Sequence, residues 1–172
     1  MEEPSPNFTP QAQDLIFQSK ILCISLGSPA VTPDHLLISI LQSAPAKIVS
    51  FVSQYNLNIK EYVEFIIDFA SLTSRNYKLD GSPDYSDDFR SCLNDSANFS
   101  EKLNHGYIGP EHLFFSIINL ADGSTDTYLT SIGLSTKDFI KSFVKFIRSE
   151  DSMLDNFDSL PNFKNSSPFD QN

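Results

Sequence analysis

Basic side chains are scarce in this sequence: 12 Lys and Arg stand against 22 Asp and Glu, a formal net charge of −10. Nucleic-acid phosphates and anionic membrane surfaces are held by clustered Lys and Arg, so the balance argues against both as partners. Basic or guanidinium-bearing partners fit better. Cysteine is nearly absent, with only Cys23 and Cys92, each inside an apolar helical pattern. Such thiols read as buried and free, which argues against a disulfide scaffold and for a reducing compartment. Of the 6 glycines none begins the G-x-x-x-x-G-K-[ST] phosphate cradle, so these residues hold no nucleotide-hydrolysis site. No apolar run reaches the ~18 residues of a membrane span. Residues 21–30 imitate a signal h-region, but Glu2, Glu3 and Asp14 stand where a basic n-region belongs, so the stretch reads as a helix end. No Arg precedes Arg75, which argues against a transit peptide.

What is present is a repeat. Residues 8–70 align without a gap on residues 85–147, at a constant offset of 77. Phe8-Thr9 matches Tyr85-Ser86, and Val31-Thr32-Pro33-Asp34-His35-Leu36 matches Ile108-Gly109-Pro110-Glu111-His112-Leu113. Identities are few while the apolar positions survive, as two copies of one core would require.

Each copy reads as four helices. Ala12, Leu15, Ile16, Ser19, Leu22, Cys23 and Leu26 form one stripe at helical spacing, and Phe89, Cys92, Leu93, Ser96, Phe99, Ser100 and Leu103 repeat it. Thr32, Pro33 and Asp34 supply an N-cap, a first-position proline and a first-turn acid for the second helix. Gly109-Pro110-Glu111 opens its counterpart. Ile48, Phe51, Val52 and Tyr55 mark a short third helix, matched by Tyr128, Leu129 and Ile132. Tyr62, Val63, Ile66, Ile67 and Ala70 mark the fourth, matched by Phe139, Ile140, Phe143, Val144 and Ile147. Period-two alternation is not sustained anywhere, so the core is expected to lack a sheet.

The expected fold is all-α, a pseudo-twofold tandem of two four-helix repeats. Its boundaries are an N-terminal arm (1–7), repeat one (8–71), a linker (72–84), repeat two (85–149) and a flexible acidic tail (150–172).

Over residues 8–148 the chain resembles the double-repeat N-terminal domain of the Clp ATPases, the ring-shaped unfoldases that feed ClpP-type proteases. The most telling piece runs from Lys102-Leu103-Asn104-His105-Gly106-Tyr107 through Ile108-Gly109-Pro110-Glu111-His112-Leu113. It is similar to the family's pattern of a basic residue, Leu-Gly-His, an aromatic, then Ile/Val-Gly-Thr-Glu-His. The tail segment Met153-Leu154-Asp155-Asn156-Phe157-Asp158-Ser159-Leu160 resembles the stretch that joins a ClpC N-domain to its first ATPase module.

The resemblance implies a non-catalytic module, without cofactor, that recognises unfolded or tagged substrates or adaptors for a ClpC-type ATPase supplied by another chain. Its alternative is an accessory subunit bracing a ClpP-type ring. A hydrolase hidden between the repeats is a third reading that no nucleophile motif supports. In some ClpC domains the acids matching Asp34 and Glu111 are implied to grip the guanidinium of phosphoarginine, and Thr9 with Asp34, and Ser86 with Glu111, are the matching members here. A carboxylate pairs well with a planar guanidinium, and helix N-terminal amides favour the phosphate. Pro33 and Pro110, however, stand where the family has Thr, and each removes an amide donor. The other reading is two first-turn acids complementing the helix dipole. His35 and His112 read as structural, since neither His105 nor the cysteines offer zinc spacing and no metal is expected.

One more feature is lopsided. Phe17, Ile21, Ile24, Phe65 and Phe69 lie beside the core stripes where copy two has Asn94, Asn98, Glu101, Ser142 and Phe146. Contact between repeats and an exposed docking surface are both open readings. The abundance of Asn, Ser, Phe and Ile suggests an AT-biased genome, giving an expectation of a plastid-encoded stromal protein or, alternatively, bacterial cytoplasm.

Overall fold

The computed structural model describes residues 7–72, 82–121 and 123–158, the side chains as far as Asp151. Residues 1–6, 73–81 and 159–172 lie outside the described part, so the expectations for most of the arm, the linker and the tail beyond Asp158 fall there.

Helix α1 (Pro10–Ser25) starts where Thr9 Oγ1 accepts the Ala12 amide at 3.1 Å and Pro10 supplies a preset φ. It buries Ala12, Leu15, Ser19 and Cys23, the predicted stripe, and ends before Gly27 at φ +66°. Helix α2 (Pro33–Ser43) is buried along most of its length, from Pro33 to Leu41 except Asp34. The Ser39 hydroxyl ties it to α1 through the Leu15 carbonyl at 3.0 Å. Helices α3 (Ala46–Ser53) and α4 (Ile59–Leu72) complete the first repeat. Helices α5 (Asp87–Lys102), α6 (Pro110–Ile118), α7 (Ser124–Ser131) and α8 (Thr136–Asp158) repeat the series. Ser86 caps α5 as Thr9 caps α1, accepting the Phe89 amide at 3.1 Å.

The two repeats share one core. Helices α2 and α6 meet at its centre, and each repeat's third and fourth helices pack on those of the other. Phe51 of α3 touches Phe139, Phe143 and Phe146 of α8, with ring centroids 5.0, 4.9 and 5.6 Å away. Tyr62 of α4 stacks on Tyr128 of α7 at 4.7 Å, and its hydroxyl lies 2.6 Å from Thr125 Oγ1. The pseudo-twofold tandem inferred from the repeat is therefore present, and it is a single packed body.

Short strands lock it. Strand β1 (Ala30–Val31) pairs in parallel with β2 (Asp84–Tyr85), and Phe8 bridges Ile108 in the same sense. Residues 8 and 31 shifted by the repeat offset become 85 and 108, so these are one contact made twice. In each, the segment before one repeat's first helix lies along the loop before the other repeat's second helix. Sequence alternation could not show such pairing, because two residues carry no period. Asp84, assigned to the linker, is thus part of the fold.

Two further expectations need correction. Ile132, placed on the third-helix stripe of copy two, sits at the end of α7 and is 46% exposed. Residues 150–158, expected to be a flexible tail, continue α8 as helix. Met153, Leu154 and Phe157 recur at spacings of one and three, a helical pattern that the surrounding Asp, Asn and Ser obscure. Among the described residues no single helix is long and apolar enough to cross a membrane.

Candidate functional site

Three places on this scaffold are candidates for a site: the first-turn acids, the histidine cluster beside one of them, and the outer face of α1.

Thr9 and Ser86 spend their side chains on capping, and their amides bind across the repeat boundary. Thr9 N–H donates to Ile108 O at 3.0 Å, and Ser86 N–H to Val31 O at 2.9 Å. Thr9 is therefore anchored to the loop that leads into Glu111, and Ser86 to the loop that leads into Asp34. The grouping by repeat, Thr9 with Asp34 and Ser86 with Glu111, is exchanged in space because the strand pairing crosses between copies.

Each acid meets the start of the other repeat's third helix. Asp34 Oδ1 accepts the Ser124 hydroxyl at 2.6 Å, and burial pushes its pKa up while that bond opposes the rise. Glu111, 6% exposed, pairs through Oε2 with Lys47 Nζ at 3.1 Å. Both carboxylates thus have partners within the chain and clasp one repeat to the other. Lys47 and Ser124 were not singled out from sequence, since nothing local marks either as the partner of an acid 64 or 90 positions away. A cleft of about 240 Å³, lined by Gln11, Pro45, Lys47, Pro110 and Glu111 among others, opens beside the ion pair.

His35 and His112 close the first turns of α2 and α6. His35 Nδ1 accepts the Thr32 amide and His112 Nδ1 the Gly109 amide, each at 2.9 Å. Desolvation holds both imidazoles down at about 4, so each is neutral near pH 7. Beyond the ring the copies differ. His35 Nε2 meets Ser28 Oγ at 3.0 Å, whereas His112 Nε2 meets His105 Nδ1 at 2.8 Å, and His105 Nε2 reaches Asp151 Oδ2 at 2.8 Å. Ser28 and His105 are counterparts at the repeat offset. Among the described residues no three His, Cys, Asp or Glu side chains are grouped to hold a metal ion. Cys23 and Cys92 are buried and free.

The apolar excess of copy one divides in two. Phe65 is half-buried against Tyr128, with centroids 5.2 Å apart, so it serves contact between repeats; Phe69 is also half-buried. Phe17, Ile21 and Ile24 are instead 59%, 43% and 52% exposed. Their spacing of four and three places them on one face of α1. Beside them a groove of about 380 Å³ runs between α1 and α2, lined by Asp14, Gln18, Ile21, Leu22, Ser39 and Gln42 among others. The matching groove of copy two, about 360 Å³, has the stacked Phe99 and Phe115 rings, with Lys102, Arg148 and Asp95 among its other lining residues.

Fold and site together define a helical tandem-repeat domain that, among the described residues, offers grooves and a helix face with exposed apolar side chains. The sequence pattern of the Clp repeat (R) N-terminal domain matches residues 7–132 and, a second time, 84–161. The chain belongs to the Clp N-terminal domain family. It is 24% identical over 128 residues to the uncharacterized protein Rv2667 of Mycobacterium tuberculosis, covering 74% of this chain and 49% of that protein. It is 23% identical over 131 residues to the negative regulator of genetic competence ClpC/MecB of Bacillus subtilis, covering 74% of this chain and 15% of ClpC/MecB. The chain thus spans about half the length of the first and a small part of the second. A solved complex of a ClpV N-domain with VipB peptide has the same fold, with a TM-score of 0.62 and 16% identity over 86% of this chain and 96% of that one.

Proposed function

We propose that this chain recognises apolar peptide segments of substrates or adaptors on behalf of a Clp ATPase, by binding alone. The observation that carries the reading is the face of Phe17, Ile21 and Ile24, large side chains left in water on a helix whose opposite side is fully packed. The corresponding face of α5 carries Asn94, Asn98 and Glu101, so the exposure belongs to one copy and the fold does not demand it. Water-exposed apolar surface of this kind gains free energy when a partner covers it, by about 25 cal/mol per Å². The ClpV N-domain, with the same fold, has been solved holding a peptide. Beside the α1 stripe Asp14 is the acid that lines the groove, and the net charge of −10 favours partners carrying some positive charge.

The test is retention of a chemically unfolded model protein and of a ClpC-type ATPase on the immobilised chain, compared with an Ile21→Asp/Ile24→Asp variant. Binding of both at micromolar concentration, lost in the variant, supports the reading. Binding of a ClpP-type ring with no affinity for unfolded protein would replace it by the accessory-subunit reading.

A further inference from the structure

The carboxylate of Glu111 stands between an ammonium of repeat one and a neutral imidazole of repeat two. Its Oε2 is 3.1 Å from Lys47 Nζ in repeat one. Its Oε1 is 3.5 Å from His112 Nδ1 in repeat two, buried and without a hydrogen bond. Because His112 Nδ1 accepts the Gly109 amide, the ring's hydrogen sits on Nε2. That hydrogen is donated to His105 Nδ1, which leaves the His105 hydrogen on Nε2, facing Asp151. Every tautomer in the chain follows from the one backbone amide.

On the two rings an added proton has two places to go. On His105 Nδ1 it would set two N–H groups against each other across 2.8 Å. On His112 Nδ1 it would also oppose a donor, the Gly109 amide, but there the unpartnered oxygen of Glu111 lies alongside. We propose that Glu111 is a proton-driven toggle between the repeats. With His112 neutral it holds Lys47 alone; on proton uptake at His112 Nδ1 the imidazolium takes Oε1, which shares the carboxylate's charge and weakens its hold on Lys47 at Oε2. The clasp between α3 and α6 then loosens. Facing the same cluster are Tyr107 and His105 from the loop before α6, and Asp151 and Glu150 from α8. Burial, the neighbouring His105 and the positive charge of Lys47 oppose His112 protonation while Glu111 and Asp151 favour it, so the toggle works in the acid range. Repeat one has no equivalent: its acid takes a serine hydroxyl and its histidine ends on Ser28.

The experiment is a titration of the isotope-labelled chain by NMR, from neutral pH to about 3.5, following the His112 ring nitrogens, the Glu111 carboxyl carbon and Lys47 Nζ. His35 is the internal reference. The expected result is protonation of His112 at Nδ1, with Glu111 and Lys47 shifting at the same midpoint and amide exchange in α3 rising by about tenfold. Glu111→Gln and Gly109→Ala should each lower the His112 midpoint by about half a pH unit or more and uncouple Lys47 from it. The second variant keeps every charge, yet its Cβ would lie 2.1 Å from Glu111 Oε1 and so displaces that oxygen. A neutral His112 carrying its hydrogen on Nδ1, a Lys47 signal unmoved through the His112 titration, or unfolding of the whole chain before His112 takes up its proton would each overturn the proposal.

Discussion

Phe51 and Phe143 meet edge to face with ring centroids 4.9 Å apart, one from each repeat and both fully buried. Phe51 also touches Tyr55, Phe139 and Phe146, so one side chain joins α3 to the first half of α8. Truncation to Phe51→Ala removes those contacts and leaves a cavity that four rings cannot all collapse into. A loss of about 3–5 kcal/mol is expected in urea unfolding. The transition should stay single in circular dichroism and fluorescence, since both repeats own the core; two separated transitions would show that the repeats fold independently.

The exposed α1 face makes the opposite prediction for stability. Phe17→Ser and Ile24→Ser remove side chains more than half exposed, so unfolding free energy should change by about 0.5 kcal/mol or less. Affinity for an apolar peptide should fall by roughly tenfold or more, since anchors of this type carry much of an interface's energy. Anisotropy with a labelled peptide measures the second effect and thermal unfolding the first.

Acidification should destabilise the fold through two histidines. His35 and His112 are held at about 4 in the folded chain, against 6.5 for the free side chain. The unfolded state binds protons first, so their contribution is complete above about pH 6.5 and is lost as pH falls toward 4. Each accounts for up to about 3 kcal/mol, taking one pKa unit as 1.36 kcal/mol, and for less where solvent screens the ring. Asp34 acts in the other direction, because its folded pKa is raised, and moderates the loss at the acid end. Urea midpoints measured across this window should fall, and a His35→Gln variant should show a shallower slope; a flat profile would contradict the buried neutral imidazoles.

Asp34 and Ser124 offer a test of what a buried carboxylate is worth here. Asp34→Asn keeps an acceptor for the Ser124 hydroxyl and removes a charge that burial disfavours, so stability at pH 7 should hold or rise slightly. Asp34→Ala strands that hydroxyl and should cost about 1–2 kcal/mol. Chemical denaturation of the pair at one pH separates the two outcomes.

Much of this molecule was written along the chain. The repeat at offset 77 and the three-and-four spacing of Ala12, Leu15, Ser19 and Cys23 are local patterns, and helix burial obeys them directly. Thr9, Ser86, Pro33 and Pro110 mark helix starts because capping is decided within a few residues. The exposed Phe17, Ile21 and Ile24 stood out by comparison with the polar positions of copy two, whereas Phe65 looked the same in sequence and proved to be an inter-repeat contact.

Tertiary structure alone decided how the copies meet. Periodicity tells which face of a helix is buried but not against what, so the crossing strands at Val31 and Ile108 left no trace in the sequence. Nor did the partners of the two acids: Lys47 and Ser124 come to Glu111 and Asp34 only because each repeat's third helix begins beside the second helix of the other. Likewise His105 becomes a link to Asp151 only once α8 runs on past the second repeat, bringing a carboxylate 46 residues away within hydrogen-bond reach. Hydrogen bonds between distant side chains depend on positions fixed to fractions of an ångström, and those are set by the packing of the shared core.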